Sequence, residues 1–399
     1  MRRVHVVGAG LAGLSAAIAL TQAGISVILY DSSPHAGGRC RSYFDRELGV
    51  RLDNGNHLVL SGNRDTFAFL DTIGARGTMT GPAEPQLPFM DLKTGERWTV
   101  RPNAGRIPWW VMAPSRRVPG ARLSHFLAAA SLSRAGPDIT VAQAIPPGEL
   151  YRRLLEPLAI AALNTPPATA SARLMGAVMD ESLSRGGAAC RPMVPRIGLS
   201  ESFIDPALDW LAAHGTTINL GHRVTTLDDL RLTEDESVVI ATPAPVAATL
   251  LPGLTVPDAF EAILNVHFRV NATAGEVGFI GLLGGTAEWI FVKPGVVSTT
   301  ISAANDRGEL SSDALAQQVW SDVHRALDVT GPMPAYRVVR EKRATFAATP
   351  AQDRRRPNAR TADPRITLAG DWTATGLPAT IEGAIRSGRT AASILCHPS

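Results

Sequence analysis

The chain has 399 residues, of which 45% are apolar and 19% are charged, a balance typical of globular proteins with material for more than one core. A formal net charge of only +3 argues against nucleic-acid binding. Three widely spaced cysteines without a CxxC pair disfavour a disulfide framework, a dithiol redox centre and a metal site, so we expect reduced and mostly buried thiols at Cys40, Cys190 and Cys396.

The N-terminal sequence MRRVHVVGAG enters a strand directly and contains no signal-peptide apolar region. No apolar run approaches the roughly 20 residues that a membrane-spanning helix needs. We therefore expect a cytoplasmic protein, either soluble or peripheral on the inner face of the membrane.

The segment RRVHVVGAGLAGLSAAIALTQAGISVILYDSS is typical of a strand, a glycine turn, a helix and a second strand. Val4–Val7 forms the first strand, Gly8, Gly10 and Gly13 give the pattern GxGxxG, and the second strand closes on Asp31. These glycines allow a tight turn, the approach of a pyrophosphate and close helix packing, while the terminal acid binds ribose hydroxyls. GxGxxG alone also occurs in ordinary glycine-rich loops, but this context predicts dinucleotide binding.

A Gly-Gly-Arg loop follows the second strand in SSPHAGGRCRS. Gly38 adds flexible backbone near the pyrophosphate, and Arg39 is suited to a bidentate phosphate contact. The alternative interpretation of Arg39 is a solvated arginine in a turn. Because an NAD-only domain has no obvious need for this loop, it favours FAD.

The C-terminal segment RITLAGDWTATGLPATIEGAIRSG predicts the other half of the cofactor site. It contains a strand over 366–369, a turn at Gly370 and Asp371, and a helix that begins at Thr380 and Ile381. The N-terminus of that helix would place positive charge beside a flavin ring and stabilise its anionic reduced form. A further βα unit of the sheet is the alternative, and the two interpretations are compatible.

Residues 106–122, RIPWWVMAPSRRVPGAR, combine Trp109 and Trp110 with four arginines. Amphipathic indoles beside basic residues suit a membrane interface with anionic headgroups, and a buried tryptophan pair with surface arginines is the alternative. Together with the aliphatic LLEPLAIAALN and LNVHFRV, this segment indicates an apolar pocket for a lipid substrate. CRPMVPRIG is interpreted as a linker and RRRPNARTADPR as a solvated loop.

The motifs VVGAGLAGLSAA, GGRCRS and LAGDWTATGLPATIEGAIRSG resemble those of the flavin-containing amine oxidase and carotenoid desaturase superfamily. LDWLAAHGTTINLGHRVTTL is similar to the superfamily segment in which a helix leads to a strand whose valine contacts the adenine, here Val224. The resemblance implies an α/β fold, with a Rossmann-like FAD-binding domain and an interleaved α+β substrate domain, and non-covalent FAD. The implied cofactor-binding residues are Gly8, Gly10, Leu11, Ala12, Gly13, Asp31, Ser32, Gly38, Arg39, Asn54, Gly55, Val224, Gly370, Asp371, Thr380 and Ile381.

The combination of DNGNH, LLEPLAIAALNTPPATASARL, PRIGLSESFIDPALDWLAAHG and AGDWTATGLPATIEGAIRSG resembles more specifically the squalene-associated FAD-dependent desaturases, which are hydroxysqualene dehydroxylases of hopanoid biosynthesis. That resemblance implies reductive dehydroxylation of a prenyl lipid, hydroxysqualene, to squalene by hydride transfer from reduced flavin, with squalene-synthase-like enzymes as pathway partners. His57 is the candidate catalytic residue, with a structural histidine as the alternative. Asp53 and Glu382 are weaker candidates, for which cofactor-binding or helix-end roles are the alternatives. The alternatives are a carotenoid or phytoene-type desaturase and, more remotely, a non-catalytic flavin-binding scaffold for prenyl-lipid enzymes.

The same resemblance implies that the charged stretch 38–60 is a loop facing the FAD, with Arg39 and Arg41 towards the phosphates and the ring. It also implies discontinuous domains. Residues 1–75, 195–250 and 340–399 would form the FAD-binding domain, and residues 76–194 and 251–339 the substrate domain, which faces the membrane.

Overall fold

A computed structural model describes residues 3–129, 132–307 and 309–397 of the chain. The strands are β1 (Arg3–Val7), β2 (Ser26–Asp31), β3 (Ser42–Asp45), β4 (Val50–Asp53), β5 (Val59–Leu60), β6 (Met79–Thr80), β7 (Leu87–Asp91), β8 (Arg97–Val100), β9 (Pro192–Pro195), β10 (Thr217–Leu220), β11 (Glu236–Ile240), β12 (Phe260–Phe268), β13 (Phe279–Leu283), β14 (Trp289–Lys293), β15 (Val296–Ile301), β16 (Tyr336–Phe346) and β17 (Ile366–Leu368). The α-helices are α1 (Leu11–Gln22), α2 (Arg64–Thr72), α3 (Leu123–Ala129), α4 (Val141–Ala144), α5 (Glu156–Leu163), α6 (Ala172–Glu181), α7 (Asp205–Ala213), α8 (Ala244–Leu250), α9 (Ser312–Leu327), α10 (Pro350–Asp353) and α11 (Ile381–Cys396).

The first sheet is parallel, with the strand order β10-β2-β1-β11-β17. Strands β1 and β2, with helix α1 between them, are the predicted N-terminal strand, helix and strand. Strand β17 and helix α11 are the predicted C-terminal strand and helix. Val7 lies opposite both Tyr30 and Ile240, and Ile240 lies opposite Leu368. The carboxyl ends of these four strands therefore meet at one edge, where α/β sheets bind ligands.

Apolar layers cover both faces of this sheet. Val4 and Val6 pack into a core with side chains of α1, α7 and α11. Val238 and Ile240 face the opposite layer, which includes α8. Because α1 is covered by the sheet on one side and by α11 on the other, its Ala- and Leu-rich sequence is buried on nearly every side.

The second sheet is mixed, with the order β16-β12-β15-β14-β13-β7-β8 and one parallel pair, β7 with β13. Apolar and polar side chains alternate along the second half of β12. In β12, Leu264, Val266 and Phe268 pack with α9, whereas Asn265 and His267 point to the opposite face because strand side chains alternate.

The charged stretch 38–60 was predicted to be a loop, and this prediction is wrong for residues 42–53. They form the antiparallel hairpin β3–β4. Its buried acids bind basic side chains of the second sheet: Arg337 Nε lies 2.6 Å from Asp45 Oδ2, and Lys293 Nζ lies 2.5 Å from Asp53 Oδ2. The charges anchor the hairpin between the two sheets.

Two interpretations of irregular segments also need correction. CRPMVPRIG contains β9, which pairs with β5 and β6, and its prolines lie at the ends of that strand, where a missing N–H does least harm. In the segment predicted to be a solvated loop, Arg356 is only 7% exposed. Its guanidinium binds Asp353 and the Asp371 carbonyl and lies over the Phe346 ring.

The strands of the first sheet fall within residues 1–75, 195–250 and 340–399, but residues 340–346 extend the second sheet as part of β16. The domain boundaries stay a prediction. Among the helices that the structure describes, none combines the length and apolar character needed to cross a membrane.

Candidate cofactor and substrate site

The glycine turn lies at the carboxyl edge of the first sheet. Gly8 has a φ of +114°, and a Cβ there would lie 2.5 Å from the Ala241 carbonyl oxygen. A Cβ on Gly13 would lie 1.7 Å from the Gly8 carbonyl oxygen, whereas a Cβ on Gly10 would meet nothing within 4 Å. Gly8 and Gly13 therefore allow close packing, and Gly10 leaves open space at the start of α1.

No side chain caps the N-terminus of α1, which begins at Leu11 and Ala12 after the extended Gly10. The first N–H groups of a helix need partners outside the helix, and they attract anions. A pyrophosphate beside Gly10 would supply the missing acceptors.

The Asp31 carboxylate is held at the end of β2. Its Oδ2 accepts a hydrogen bond from the Ala9 N–H at 2.7 Å, and its Oδ1 accepts one from the Ser33 N–H at 2.8 Å. An ionised carboxylate has about four acceptor positions, so two remain for ribose hydroxyls. The neighbouring Ser32 is exposed.

The structure brings together two predicted residues from opposite ends of the chain. Arg39 donates to Asp371 Oδ1 at 2.7 Å and to the Ala344 carbonyl at 2.6 Å, and the Asp371 charge raises the pKa of the Arg39 guanidinium. The loop before Arg39 lies against the glycine turn, because the Gly37 N–H donates to the Ala9 carbonyl and a Cβ on Gly38 would lie 3.7 Å from Gly10 Cα. Arg39 therefore cross-links the two halves of the predicted cofactor site.

The C-terminal helix α11 begins where the sequence predicted. Thr380 caps it by accepting a hydrogen bond from the Gly383 N–H, and Ile381 is buried in its first turn. α11 packs tightly on α1, since Ser15 Oγ donates to the Ile385 carbonyl at 2.8 Å. Gly370 follows β17, and its N–H donates to Ser387 Oγ of α11.

The turn DNGNH lies over the second sheet. Asn54 exchanges main-chain and side-chain hydrogen bonds with the Arg41 main chain. Gly55 and His57 are half-buried. Burial lowers the pKa of His57 and the Arg39 charge lowers it further, although Asp53 and a hydrogen bond with the Arg39 main chain oppose this shift. His57 is therefore mainly neutral at pH 7.

Beneath this turn lies a polar cluster that the sequence analysis missed. Asn56 Nδ2 donates to Thr300 Oγ1 at 3.0 Å and to Asn265 Oδ1 at 3.3 Å, and Thr300 Oγ1 donates to Asn265 Oδ1 at 3.2 Å. LNVHFRV was assigned to an apolar pocket, but its apolar residues face α9 and Asn265 faces the turn. The alternation of polar and apolar residues in LNVHFRV is the signal that could have revealed this.

The two weaker catalytic candidates have structural partners. Asp53 Oδ1 accepts hydrogen bonds from Ser42 Oγ and the Leu199 N–H, in addition to its ion pair with Lys293. Glu382 is 3% exposed and accepts hydrogen bonds from the first N–H groups of α2. Both carboxylates therefore hold neighbouring parts of the fold in place.

The sequence profile described as flavin-containing amine oxidoreductase matches residues 11–275 and 283–396. A hydroxysqualene dehydroxylase of Sinorhizobium fredii is 43% identical over 98% of both chains, and one of Zymomonas mobilis is 42% identical over 99% of both. The chain belongs to the hydroxysqualene dehydroxylase family of flavin-containing amine oxidoreductases. A probable zeta-carotene desaturase of Synechococcus elongatus is 44% identical, but over only 18% of this chain and 15% of its own length.

Solved structures of an oxidase and of an oxidoreductase share the fold. Cyclohexylamine oxidase from Brevibacterium oxydans superposes with a TM-score of 0.67 at 16% identity and covers 99% of this chain and 98% of its own. An oxidoreductase from Methanosarcina mazei reaches a TM-score of 0.73 at 14% identity, covering 98% of this chain and 100% of its own. These comparisons confirm the two-domain α/β fold that the motifs predicted.

This family member is an FAD-dependent oxidoreductase, and its own residues fit the cofactor. The open space at Gly10, the uncapped start of α1 and the free acceptor positions of Asp31 lie at one edge of the sheet. The space at Gly10 and the start of α1 suit a pyrophosphate, and the acceptor positions of Asp31 suit a ribose.

Val224 lies outside the strand in which it was predicted. It was expected in a strand, but β10 ends at Leu220 and Val224 follows four residues later, buried at 8% exposure. The chain stays beside the end of β2, because the Gly221 and His222 N–H groups donate to the Ser33 and Asp31 carbonyls. Contact of Val224 with the adenine stays a prediction.

Of the two tryptophans in residues 106–122, one is buried and the other is exposed. Trp110 is 5% exposed and packs edge-on against Phe126 of α3. Trp109 is 52% exposed and lies beneath the Arg116 guanidinium. A buried tryptophan pair is therefore wrong, since only one of the two indoles is buried.

Proposed function

We propose that this chain catalyses the reductive dehydroxylation of hydroxysqualene to squalene. The observation that carries the proposal is the identity of 43% and 42% with two hydroxysqualene dehydroxylases over essentially the whole of each chain. The match to a carotenoid desaturase is confined to 73 residues, which disfavours the desaturase alternative.

In this proposal the chain holds FAD along the carboxyl edge of the first sheet. Gly8, Gly10 and Gly13 with the start of α1 would bind the pyrophosphate, and Asp31 the adenosine ribose. The N-terminus of α11 would lie near the flavin ring. The wider set that we propose to contact FAD is Leu11, Ala12, Ser32, Gly38, Arg39, Asn54, Gly55, Val224, Gly370, Asp371, Thr380 and Ile381.

The reaction replaces a C–O bond by a C–H bond and releases the hydroxyl as water, so it requires one hydride and one proton. Reduced FAD supplies the hydride when it is bound. We propose that His57 faces the leaving hydroxyl, because the turn that carries it lies beside Arg39 at the junction of the two sheets. The apolar core between the sheets would exclude water from the hydrocarbon chain.

The direct test uses FAD-loaded protein reduced under anaerobic conditions and mixed with hydroxysqualene in detergent. We expect squalene and reoxidised flavin in equal amounts, measured by mass spectrometry and flavin absorbance. Oxidised protein incubated with carotenoid precursors is the comparison for the opposite direction of hydride transfer. Desaturated carotenoid without any squalene would contradict the proposal, and so would a flavin that exchanges electrons with neither lipid.

We further propose that the substrate domain contacts a membrane surface through residues 106–127. Five large apolar side chains there are exposed: Ile107 (79%), Trp109 (52%), Met112 (65%), Leu123 (40%) and Leu127 (77%). Arg106 and Arg122 are exposed among them. An apolar surface with basic residues suits an anionic lipid interface, from which a prenyl lipid would enter. Pathway enzymes of the squalene-synthase type would deliver the substrate at the same surface.

A further inference from the structure

Two polar side-chain atoms converge on one point in front of Gly55. A Cβ added to Gly55 would lie 3.7 Å from His57 Nε2 and 3.8 Å from Asn265 Nδ2. Among the described residues, apart from Gly55 and its chain neighbours, no other heavy atom lies within 4 Å of that point. Two side-chain nitrogens therefore border the position in front of Gly55.

The hydrogen bonds around Asn265 determine which end of its amide faces this position. Its Oδ1 accepts from Asn56 Nδ2 and from Thr300 Oγ1. A flipped amide would place Nδ2 against the donor of Asn56 and lose that bond. Nδ2 therefore points away from the cluster and towards Gly55.

Asn265 Nδ2 is an unsatisfied buried donor. The residue is 0% exposed, and Nδ2 has no hydrogen-bond partner within the described part of the chain. A buried donor without a partner is unfavourable, and strain, a water or ion, or a functional partner can account for it. His267, two residues along β12, is also buried, and its Nδ1 binds Ser298 Oγ, whereas its Nε2 has no hydrogen-bond partner among the described residues.

We propose that Asn265 and His57 bind the hydroxyl group of the lipid substrate in front of Gly55, and that Asn56 and Thr300 orient Asn265 for this contact. A hydroxyl oxygen accepts one hydrogen bond and donates another, so it can accept from the Asn265 amide and pair with His57 in either tautomer. The inference rests on the proposed function. It explains how the site prefers the alcohol to the hydrocarbon product, which has no group for these partners.

The test compares binding of the alcohol and of the hydrocarbon to FAD-loaded full-length protein. Asn265→Leu keeps the side-chain size and removes the donor. We expect it to raise the Kd for hydroxysqualene by about tenfold or more, and the Kd for squalene by less than about twofold, both measured from changes in flavin absorbance. Gly55→Ala places a methyl at ordinary contact distance from both nitrogens, so we expect it to fold normally and to raise the Kd for the alcohol more than the Kd for the hydrocarbon.

Thr300 and Thr299 provide a test variant and a matched control for the orientation of Asn265. Thr300→Val removes one of the two donors to Asn265 Oδ1, and we expect the Kd for the alcohol to rise about threefold to tenfold. Thr299 is the next residue along β15, and its hydroxyl donates to the Val266 carbonyl instead. Thr299→Val should leave the ratio of the two Kd values unchanged.

The outcomes separate this inference from the proposed function. If the wild-type protein converts hydroxysqualene but Asn265→Leu binds the alcohol as tightly as the wild type, the inference is wrong and the function stands. Loss of FAD from Asn265→Leu, with an unchanged ratio of lipid Kd values, would assign the amide to the cofactor and also overturn the inference. Wild-type protein that neither binds nor converts the alcohol would contradict both.

Discussion

Glu288 is a half-buried acid next to the first residue of β14. Its Oε2 accepts a hydrogen bond from the Ser302 N–H at 2.8 Å. Burial raises the pKa of Glu288 from 4.5 to about 7, with a smaller contribution from Asp322, against the opposing effects of the Ser302 N–H and Arg307. The native protein therefore holds a proton there that the unfolded chain loses above about pH 4.5.

This pKa predicts how the free energy of unfolding depends on pH. Between pH 4.5 and about 7 the native state binds more protons at Glu288 than the unfolded state does, so this residue makes stability fall as pH rises. Glu288→Gln stays neutral at every pH. We expect its stability relative to the wild type to increase by about 1–3 kcal/mol from pH 4.5 to pH 8.

Urea unfolding followed by tryptophan fluorescence at the two pH values measures this difference. Glu84→Gln is a suitable control, because Glu84 is exposed. Asp322 faces the same site and its pKa is also raised by burial, so it adds a pH dependence of the same sign in both proteins. A stability difference for Glu288→Gln that is the same at pH 4.5 and pH 8 would show that the carboxyl is ionised in the native state.

Residues with a local sequence signal were predictable, and those defined by distant partners were not. Asp31 closes a strand at a known distance from a glycine motif, and it lies beside the glycine turn as expected. Arg356 is one of several arginines in RRRPNAR, and no local pattern distinguishes it. It is buried because its guanidinium binds Asp353 and packs on the Phe346 ring. The role of Asn265 likewise depends on Asn56, which is 209 residues away in the chain.

Two glycines of the first βα unit differ in what surrounds them, and this predicts different effects of the same substitution. A methyl on Gly13 would lie 1.7 Å from the Gly8 carbonyl oxygen, so Gly13→Ala must displace α1 from the turn. We expect it to destabilise the protein without FAD by about 2–4 kcal/mol. A methyl on Gly10 meets nothing within 4 Å, so Gly10→Ala should leave the apoprotein's stability unchanged.

The two variants also differ in cofactor binding. Gly10→Ala places its methyl where we propose the pyrophosphate approaches, so we expect its Kd for FAD to rise by about tenfold or more. Thermal unfolding of the apoprotein and FAD titration by fluorescence measure the two quantities. Unchanged FAD affinity in Gly10→Ala would place the pyrophosphate elsewhere.

Elements with strong periodicity or motif context were predictable, whereas short strands were not. β1, α1, β2, β17 and α11 carry long apolar patterns or glycine turns, and all five form where the sequence predicts. β9 contains two prolines in four residues, which locally favours a linker. It becomes a strand only because β5 and β6 lie on either side of it, and no local pattern reveals them.

At the scale of the whole molecule, the two ends of the chain close around one site. α11 packs on α1, and Arg39 binds Asp371 across the predicted cofactor position. The second sheet adds its polar cluster from the other side through Asn56. The sequence motifs predicted both ends of the site, but they contained no signal for the side contributed by the second sheet.

Residues 106–127 carry five exposed large apolar side chains. Trp110 packs edge-on against Phe126, which joins the turn around Trp109 to helix α3. This contact brings together the two elements that carry the exposed apolar side chains, and exposed arginines lie among them in the sequence. Each arginine near an anionic membrane contributes about 1 kcal/mol of attraction, which salt weakens.

This surface predicts selective binding to anionic vesicles. We expect the wild-type protein to sediment with vesicles containing phosphatidylglycerol far more than with phosphatidylcholine vesicles, and less in 0.5 M salt. The triple variant Ile107→Ser, Met112→Ser, Leu127→Ser should lose most of this binding, because three side chains at least 65% exposed no longer supply apolar area. Ile197→Ser alters an equally exposed apolar residue outside the segment and should bind as the wild type does. If the triple variant binds vesicles like the wild type while turning over detergent-solubilised substrate normally, the membrane contact lies on another face of the molecule.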